Sequence, residues 1–386
     1  QDLGFVWKSL GLLQSYRSRA YFIFGFMGIL FSRAAKTNFH DKYVLCEKVG
    51  VGTFGQVHLA TPLKEDANDH IKSHAVAVKI IEKIGKERTV SSDREMQRAL
   101  STEVDIWRRV GSDENCVCFH DVFFSLGLCY MVMERCDNDF LNHIETMPVF
   151  DERSLGDVFA QMLSAIRHLH SVRIIHRDVK PDNFVVGGKD GKTLKLGDFG
   201  LSVTKSRWKN VFGACGTAPF MCPEMVNEQC YDEKADVWSF GVIVYTLLFG
   251  ALPYTTYSRS SKAMMNAIAR ARPAPKFKVV SQSVSQFECD RSVDAMAFAK
   301  RLLTRDARQR PSALEASSMV YMNSVAKRCH LLSVNAPSLR PMIRLAKRAG
   351  LFALRDQRKL CSPCAKESGQ QSGKLVIPWH SNCVRL

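Results

Sequence analysis

The stretch His176-Arg177-Asp178-Val179-Lys180-Pro181-Asp182-Asn183, followed by Asp198-Phe199-Gly200, decides the reading of this chain. Moving a phosphoryl group asks a protein mainly for positioning and charge neutralisation. Asp178 suits the orientation of a substrate hydroxyl and the acceptance of its proton. Asn183 and Asp198 offer oxygen ligands for Mg²⁺, a hard cation bound together with phosphate oxygens. Lys180 would neutralise the transferred phosphate as charge moves. The bland alternative, isolated loop acids, does not account for both strings occurring in this order.

Two features upstream point the same way. Gly50-Val51-Gly52-Thr53-Phe54-Gly55-Gln56-Val57 has the spacing G-x-G-x-x-G-x-V. Glycines let a backbone approach phosphates closely and present N–H donors. By itself the pattern is weak, because glycine turns between strands are common. Its place between two strands, rather than opening a helix after one, argues against a dinucleotide-binding unit. Val76-Ala77-Val78-Lys79 then puts a lysine into an apolar strand, a costly arrangement unless anions pair with it. Nucleotide phosphates and a helix carboxylate would supply that pairing, with Glu103 the first choice and Glu95 the second. A surface lysine at a strand end is the plain alternative.

The organisation around these motifs is α+β. Strand patterns run through Tyr43–Leu45, Gln56–Leu59, Ala75–Ile81, Phe119–Phe124 and Leu128–Met133, with a polar loop insertion over Lys64–Ser73. Ser91–Val110 has helical spacing, with apolar Leu100, Val104, Trp107 and Val110. After Asp137 helical patterns dominate, at Leu155–His170, Asp236–Leu248 and Ser292–Leu303. The expected architecture is a small antiparallel β lobe with one helix (about 43–134), a short linker, and a larger, mainly helical lobe (about 137–320). An N-terminal extension (1–42) and a C-terminal extension (321–386) flank it.

This ordered set is the protein-kinase signature, and over roughly 43–320 the chain resembles eukaryotic-type protein serine/threonine kinases. Met221-Cys222-Pro223-Glu224 stands where the family has Ala-Pro-Glu, with Cys222 the one departure, a small hydrophobe and an oxidisable position. Asp236-Val237-Trp238-Ser239-Phe240-Gly241 resembles the helix start that follows, and Arg310 the arginine that pairs with the glutamate, here Glu224. The resemblance implies ATP and Mg²⁺ as cofactors and protein substrates. It implies that Gly50, Val51, Gly52, Thr53, Phe54, Gly55, Val57, Ala77 and Lys79 line the nucleotide site. Met133 would guard its back, and Glu134 and Cys136 would offer main-chain bonds to adenine. Lys180, and Gly216-Thr217 ahead of Pro223-Glu224, resemble the serine/threonine type, with Thr217 bonding near Asp178.

Arg177 before the catalytic aspartate implies a grip on an activation-loop phosphate, for which Thr204 and Ser206 are acceptors, or else an unphosphorylated polar loop. Phe39-His40-Asp41-Lys42-Tyr43 and Gly197-Asp198-Phe199-Gly200-Leu201-Ser202 resemble calcium/calmodulin-dependent and calcium-dependent kinases. Acids placed like Asp139 and Asp182 select basic residues near the phosphoacceptor there.

The chain's 386 residues carry a formal charge of +16. The first 42 residues hold +4 of it and residues 320–386 hold +10, which leaves about +2 for the centre. Basic flanks suit anionic membrane, nucleic acid or an acidic protein, or are plain solvated surface; taken with the kinase resemblance, nucleic acid is not expected as a partner. Tyr21–Phe31, apolar and shorter than the roughly 20 residues of a bilayer span, reads as an interfacial helix, a targeting remnant or a helix packed on the domain. Residues 340–360 form a basic amphipathic pattern that suits calmodulin, an autoinhibitory contact, membrane, or packing on the large lobe. Cys361, Cys364, His380 and Cys383 have the spacing C-x2-C-x15-H-x2-C, which fits either a small zinc site or an unstructured tail. The 13 cysteines have no disulfide-framework spacing, which points to a reducing compartment, cytoplasm or nucleus.

Overall fold

The computed structural model describes residues 38–52, 55–63, 75–82, 90–125, 127–206, 211–258, 260–277, 292–327 and 360–361. Lys64–Ser73, Thr53 and Phe54, the Tyr21–Phe31 run, residues 340–359, and Cys364, His380 and Cys383 lie outside the described residues.

Helix α1 (Phe39–Lys42) leads into β1 (Tyr43–Gly52), which pairs with β2 (Gly55–Pro62). Strand β3 (Val76–Glu82), helix α2 (Val90–Val110), β4 (Phe119–Ser125) and β5 (Leu128–Met133) complete the small lobe. Its sheet is antiparallel, in the order β1-β2-β3-β5-β4. Alternation along β3 assigns its two faces. Val76 and Val78 join Ala60, Phe123, Tyr130 and Val132 in an outer cluster. Phe39 closes that cluster, fully buried and stacked on Tyr130 with ring centroids 4.5 Å apart. Residues just ahead of the expected start at 43 thus pack on the lobe. The opposite parity of β3 carries Ala77, Lys79 and Ile81 toward α2 and the main core.

Strand β6 (Asn138–Asp139) opens the large lobe, followed by α3 (Phe140–Thr146) and α4 (Glu152–Ser171). Asp139 caps α3 by accepting from Asn142 N at 2.8 Å, and Asp151 caps α4 by accepting from Ser154 N at 2.8 Å. Short strands carry the site: β7 (Ile174–Ile175), β8 (Phe184–Gly187), β9 (Thr193–Leu196), β10 (Val203–Thr204) and β11 (Cys215–Gly216). Then follow α5 (Pro223–Val226), α6 (Lys234–Phe249), α7 (Ser261–Arg270), α8 (Val293–Leu302), α9 (Ala313–Ser317) and α10 (Val320–Lys327), and a strand, β12 (Leu360–Cys361), pairs with β11. Helix α6 is apolar on every side and buried from Ala235 to Phe249, as a central helix must be; Gly250 ends it at φ 74. Among the described residues no helix is long and apolar enough to cross a membrane.

Candidate active site

The cleft is assembled from both lobes. Lys79 on β3 is 7% exposed, and its Nζ donates to Glu103 Oε1 at 2.7 Å and to Asp198 Oδ1 at 3.2 Å. Burial alone would push the lysine's pKa down, but the two carboxylates outweigh it and hold the ammonium charged well above its ordinary range. Glu103 reaches the lysine because it shares a face of α2 with Leu100, Val104 and Trp107, all buried; Glu95, on the same helix, is exposed.

Val57 pairs with Lys79, and Ala77 with Met133, so these four residues share the face that looks into the cleft. Gly50 stands across from Val57 and Gly52 from Gly55, so the glycines flank the turn between β1 and β2. Gly55 has a packing reason of its own, since a Cβ there would lie 2.1 Å from Ile80 O. In the linker, Glu134 N donates to Cys118 O at 2.9 Å, so of its main-chain groups the carbonyl is the one left to offer an adenine. Cys136 packs against Gly187, and burial, then the Glu134 charge, pushes its thiol up to about 12.

The large-lobe half is built on strained backbone. Arg177 and Asp198 are not glycines, yet their φ values are 66 and 59. Asp236, at the start of α6 and fully buried, holds the first of these turns: its carboxylate accepts from His176 N and Arg177 N, both at 2.9 Å, and meets His170 Nε2 at 2.9 Å. This support was not recognised in the sequence, where Asp236 reads only as a helix start. Phe199 lies between Trp107 and His176, each ring 5.5 Å away, so the second turn is seated in the core.

Asp178, 2% exposed, accepts from Thr217 Oγ1 at 2.8 Å on one oxygen and lies 3.1 Å from Lys180 Nζ on the other. Lys180 Nζ also donates to Thr217 Oγ1 at 2.9 Å. Asn183 Nδ2 donates to Asp178 O at 2.7 Å, which turns its amide oxygen the opposite way. Asp139 and Asp182 are exposed, the former already capping α3. Arg177 Nε donates to Leu201 O at 2.7 Å and its Nη1 to Tyr231 Oη at 3.2 Å, while Thr204 and Ser206 are exposed.

Below the site, Glu224 and Arg310 form a buried two-pronged ion pair, with N–O distances of 2.7 and 3.0 Å. Cys222 beside it is fully buried, and burial first, then Glu224, pushes its thiol well above the ordinary range, so it is a packing residue and not a reactive one.

Residues 43–322 match the family model described as the protein kinase domain. The chain is 32% identical over 300 residues to CDPK-related kinase 5 of Arabidopsis thaliana, an alignment covering 76% of this chain and 46% of that protein. It is 31% identical over 288 residues to calcium/calmodulin-dependent protein kinase type 1B of Rattus norvegicus, covering 74% of this chain and 76% of the relative. The chain therefore spans less than half the length of the plant relatives it matches. Among solved structures, the autoinhibited serine kinase domain of the giant muscle protein titin superposes with a TM-score of 0.64 at 21% identity, covering 83% of this chain and 90% of that one, a likeness of fold.

Proposed function

The chain belongs to the protein kinase family, and from that premise we propose that it transfers the γ-phosphoryl group of ATP to serine and threonine hydroxyls of protein substrates. The observation that carries the reading is the closed set Asp178–Thr217–Lys180, in which one threonine hydroxyl bonds both the carboxylate and the ammonium. In this reading Asp178 receives the acceptor hydroxyl and takes its proton as the oxygen approaches phosphorus. Lys180 offsets the charge that develops on the transferred group. Lys79, kept charged and immobile by Glu103, holds the α- and β-phosphates, and the Gly50–Gly55 hairpin covers them.

The donor set suits a hard divalent cation: Asn183 offers a turned-out amide oxygen, and Asp198 a carboxylate whose side chain is 31% exposed. Such an ion, when bound with ATP, would draw charge from the phosphate oxygens. Transfer of ³³P from labelled ATP to a generic basic protein, by the wild type beside Asp178→Asn and Asp198→Asn, tests the reading. Equal incorporation by all three would remove it.

Two finer points follow from the relatives and the site. The exposed carboxylates Asp139 and Asp182 support a preference for basic residues near the phosphoacceptor; a peptide library showing no Arg/Lys enrichment would reject it. The C-terminal extension supports an autoinhibitory reading, because Leu360 pairs with Gly216 and Cys361 with Cys215, immediately ahead of Thr217. Relatives named as calcium/calmodulin-dependent make calmodulin the releasing partner to try. A chain ending at residue 338 would be more active than the full chain under this reading, and calcium with calmodulin would close the gap. Equal activity of the two chains would count against it.

A further inference from the structure

We propose that Tyr231 is a positioning residue: with Arg177, its hydroxyl holds the two arms 201–206 and 211–217 in the arrangement that transfer requires, so that no phosphate on Thr204 or Ser206 is needed. The inference rests on the kinase reading above.

Arg177 is fixed before its guanidinium is considered. Its left-handed backbone is tied to Asp236 through N–H at 2.9 Å. From there the guanidinium reaches both arms. Nε donates to Leu201 O at 2.7 Å on the outgoing arm. Nη1 donates to Tyr231 Oη at 3.2 Å, and Tyr231 Oη donates to Gly213 O at 3.1 Å on the returning arm. The backbone of Tyr231 takes hold of the returning arm as well, through N–H to Val211 O at 3.0 Å. Tyr231 is 6% exposed and Arg177 8%, so these charge-assisted bonds are made out of water, where they are strongest.

The returning arm leads directly to the chemistry. Gly216 has φ 97, and a Cβ on it would lie 2.4 Å from Arg177 O, so it rests on the backbone of Arg177 with no room to spare. The next residue, Thr217, bonds Asp178. A shift of Arg177 is therefore transmitted to the Thr217–Asp178 contact through packed backbone. An ordering phosphate acts by attracting arginine onto a loop. Here a phenol hydroxyl meets the same guanidinium and passes the connection to a main-chain carbonyl. The outgoing arm has its own anchors, in β10 against β7, Lys205 N to Arg173 O at 2.7 Å, and the Lys205–Glu233 ion pair. Thr204 stays exposed on that strand.

The test uses the full chain, stripped of phosphate by a phosphatase and checked by intact mass, beside Thr204→Ala/Ser206→Ala and Tyr231→Phe. The stripped wild type and the double variant are expected to keep kcat within about twofold, whereas Tyr231→Phe loses about tenfold in kcat with KM for ATP unchanged. A fall of tenfold or more on phosphate removal, which involves no substitution, overturns the proposal. So does a Tyr231→Phe chain with wild-type kcat, or one whose loss is accompanied by equal weakening of ATP binding and of thermal stability. A wild type no better than Asp198→Asn, both with calcium and calmodulin present and as a chain ending at residue 338, would instead sink the kinase reading itself.

Discussion

Thr217 Oγ1 donates to Asp178 Oδ1 at 2.8 Å, across 39 residues of chain. The bond leaves a buried carboxylate one orientation, with Lys180 on its other oxygen. Losing it frees Asp178 to turn without changing any group that holds nucleotide. Thr217→Val is expected to lower kcat by about 10- to 100-fold, the scale of small misplacements at a reacting centre, with KM for ATP little altered. Thr217→Ser, which keeps the hydroxyl, should retain most of the activity. Steady-state kinetics in both substrates decides; a valine variant with normal kcat would show that Asp178 is aligned by other means.

The Glu224–Arg310 pair makes a prediction about stability. Arg310 is 1% exposed; beyond Glu224, it donates to Thr304 O at 2.9 Å and Lys234 O at 2.9 Å, and its guanidinium lies 5.0 Å from the Trp238 ring. Removing it strands Glu224, 6% exposed, without its cation. Breaking one side of a buried pair costs about 3–5 kcal/mol, and urea unfolding of Arg310→Ala should show a loss of that size. A loss under about 1 kcal/mol would mean that water reaches the carboxylate.

What could be read from the sequence was what local spacing encodes. The apolar face of α2 runs through Leu100, Val104 and Trp107; Glu103, the first choice from the sequence, is buried on it, while Glu95, the second, is exposed. The strings around Asp178 and Asp198 carry their chemistry in adjacent residues. Asp236, Tyr231 and Lys195 act instead through partners far along the chain, chosen by how the elements pack. Nothing near Tyr231 in the sequence announces Arg177, 54 residues earlier. Phe39 is a related case: its burial depends on Tyr130 and Phe123, strands away from it. Arg177 adds a case from the other side: its position before the aspartate implies a phosphate ligand, and the fold also brings its guanidinium to Leu201 O and Tyr231 Oη, which no local spacing announces.

His176 sets a pH dependence. It is fully buried, with Nε2 3.1 Å from Gly197 O and Nδ1 accepting from Asp178 N at 3.3 Å. Burial holds its pKa below the ordinary 6.5, against the opposing pull of Asp236 and Asp178. The unfolded imidazole takes a proton near 6.5 and the folded one only at lower pH, so stability is complete above that value and falls as pH drops below it. Asp236 acts in the same direction further down: despite burial, its bonds from His170 and His176 hold its carboxyl below 3.8. The unfolding free energy should decline between pH 7.5 and 5.5 by at most about 1.4 kcal/mol per pH unit for this one proton. His176→Gln should be less stable at pH 7.5 and flatter across the interval. Parallel profiles for the two chains would assign the decline to other groups.

Lys195 on β9 ties the linker to the large lobe. Its Nζ lies 3.1 Å from Glu134 Oε2 and donates to Glu114 O at 2.8 Å, and Glu134 Oε2 also accepts from Cys118 N at 3.2 Å. Glu134 is thereby held at both side chain and main chain, on the segment expected to meet adenine. Lys195→Met keeps the aliphatic stem and removes the charge, so it should loosen the linker while leaving Asp178, Thr217 and Lys180 in place. The expected result is a KM for ATP raised about tenfold, equivalent to about 1.4 kcal/mol, with kcat changed by less than about twofold. A fall in kcat at constant KM would place the effect of Lys195 on β9 and the neighbouring Asp198 rather than on the linker.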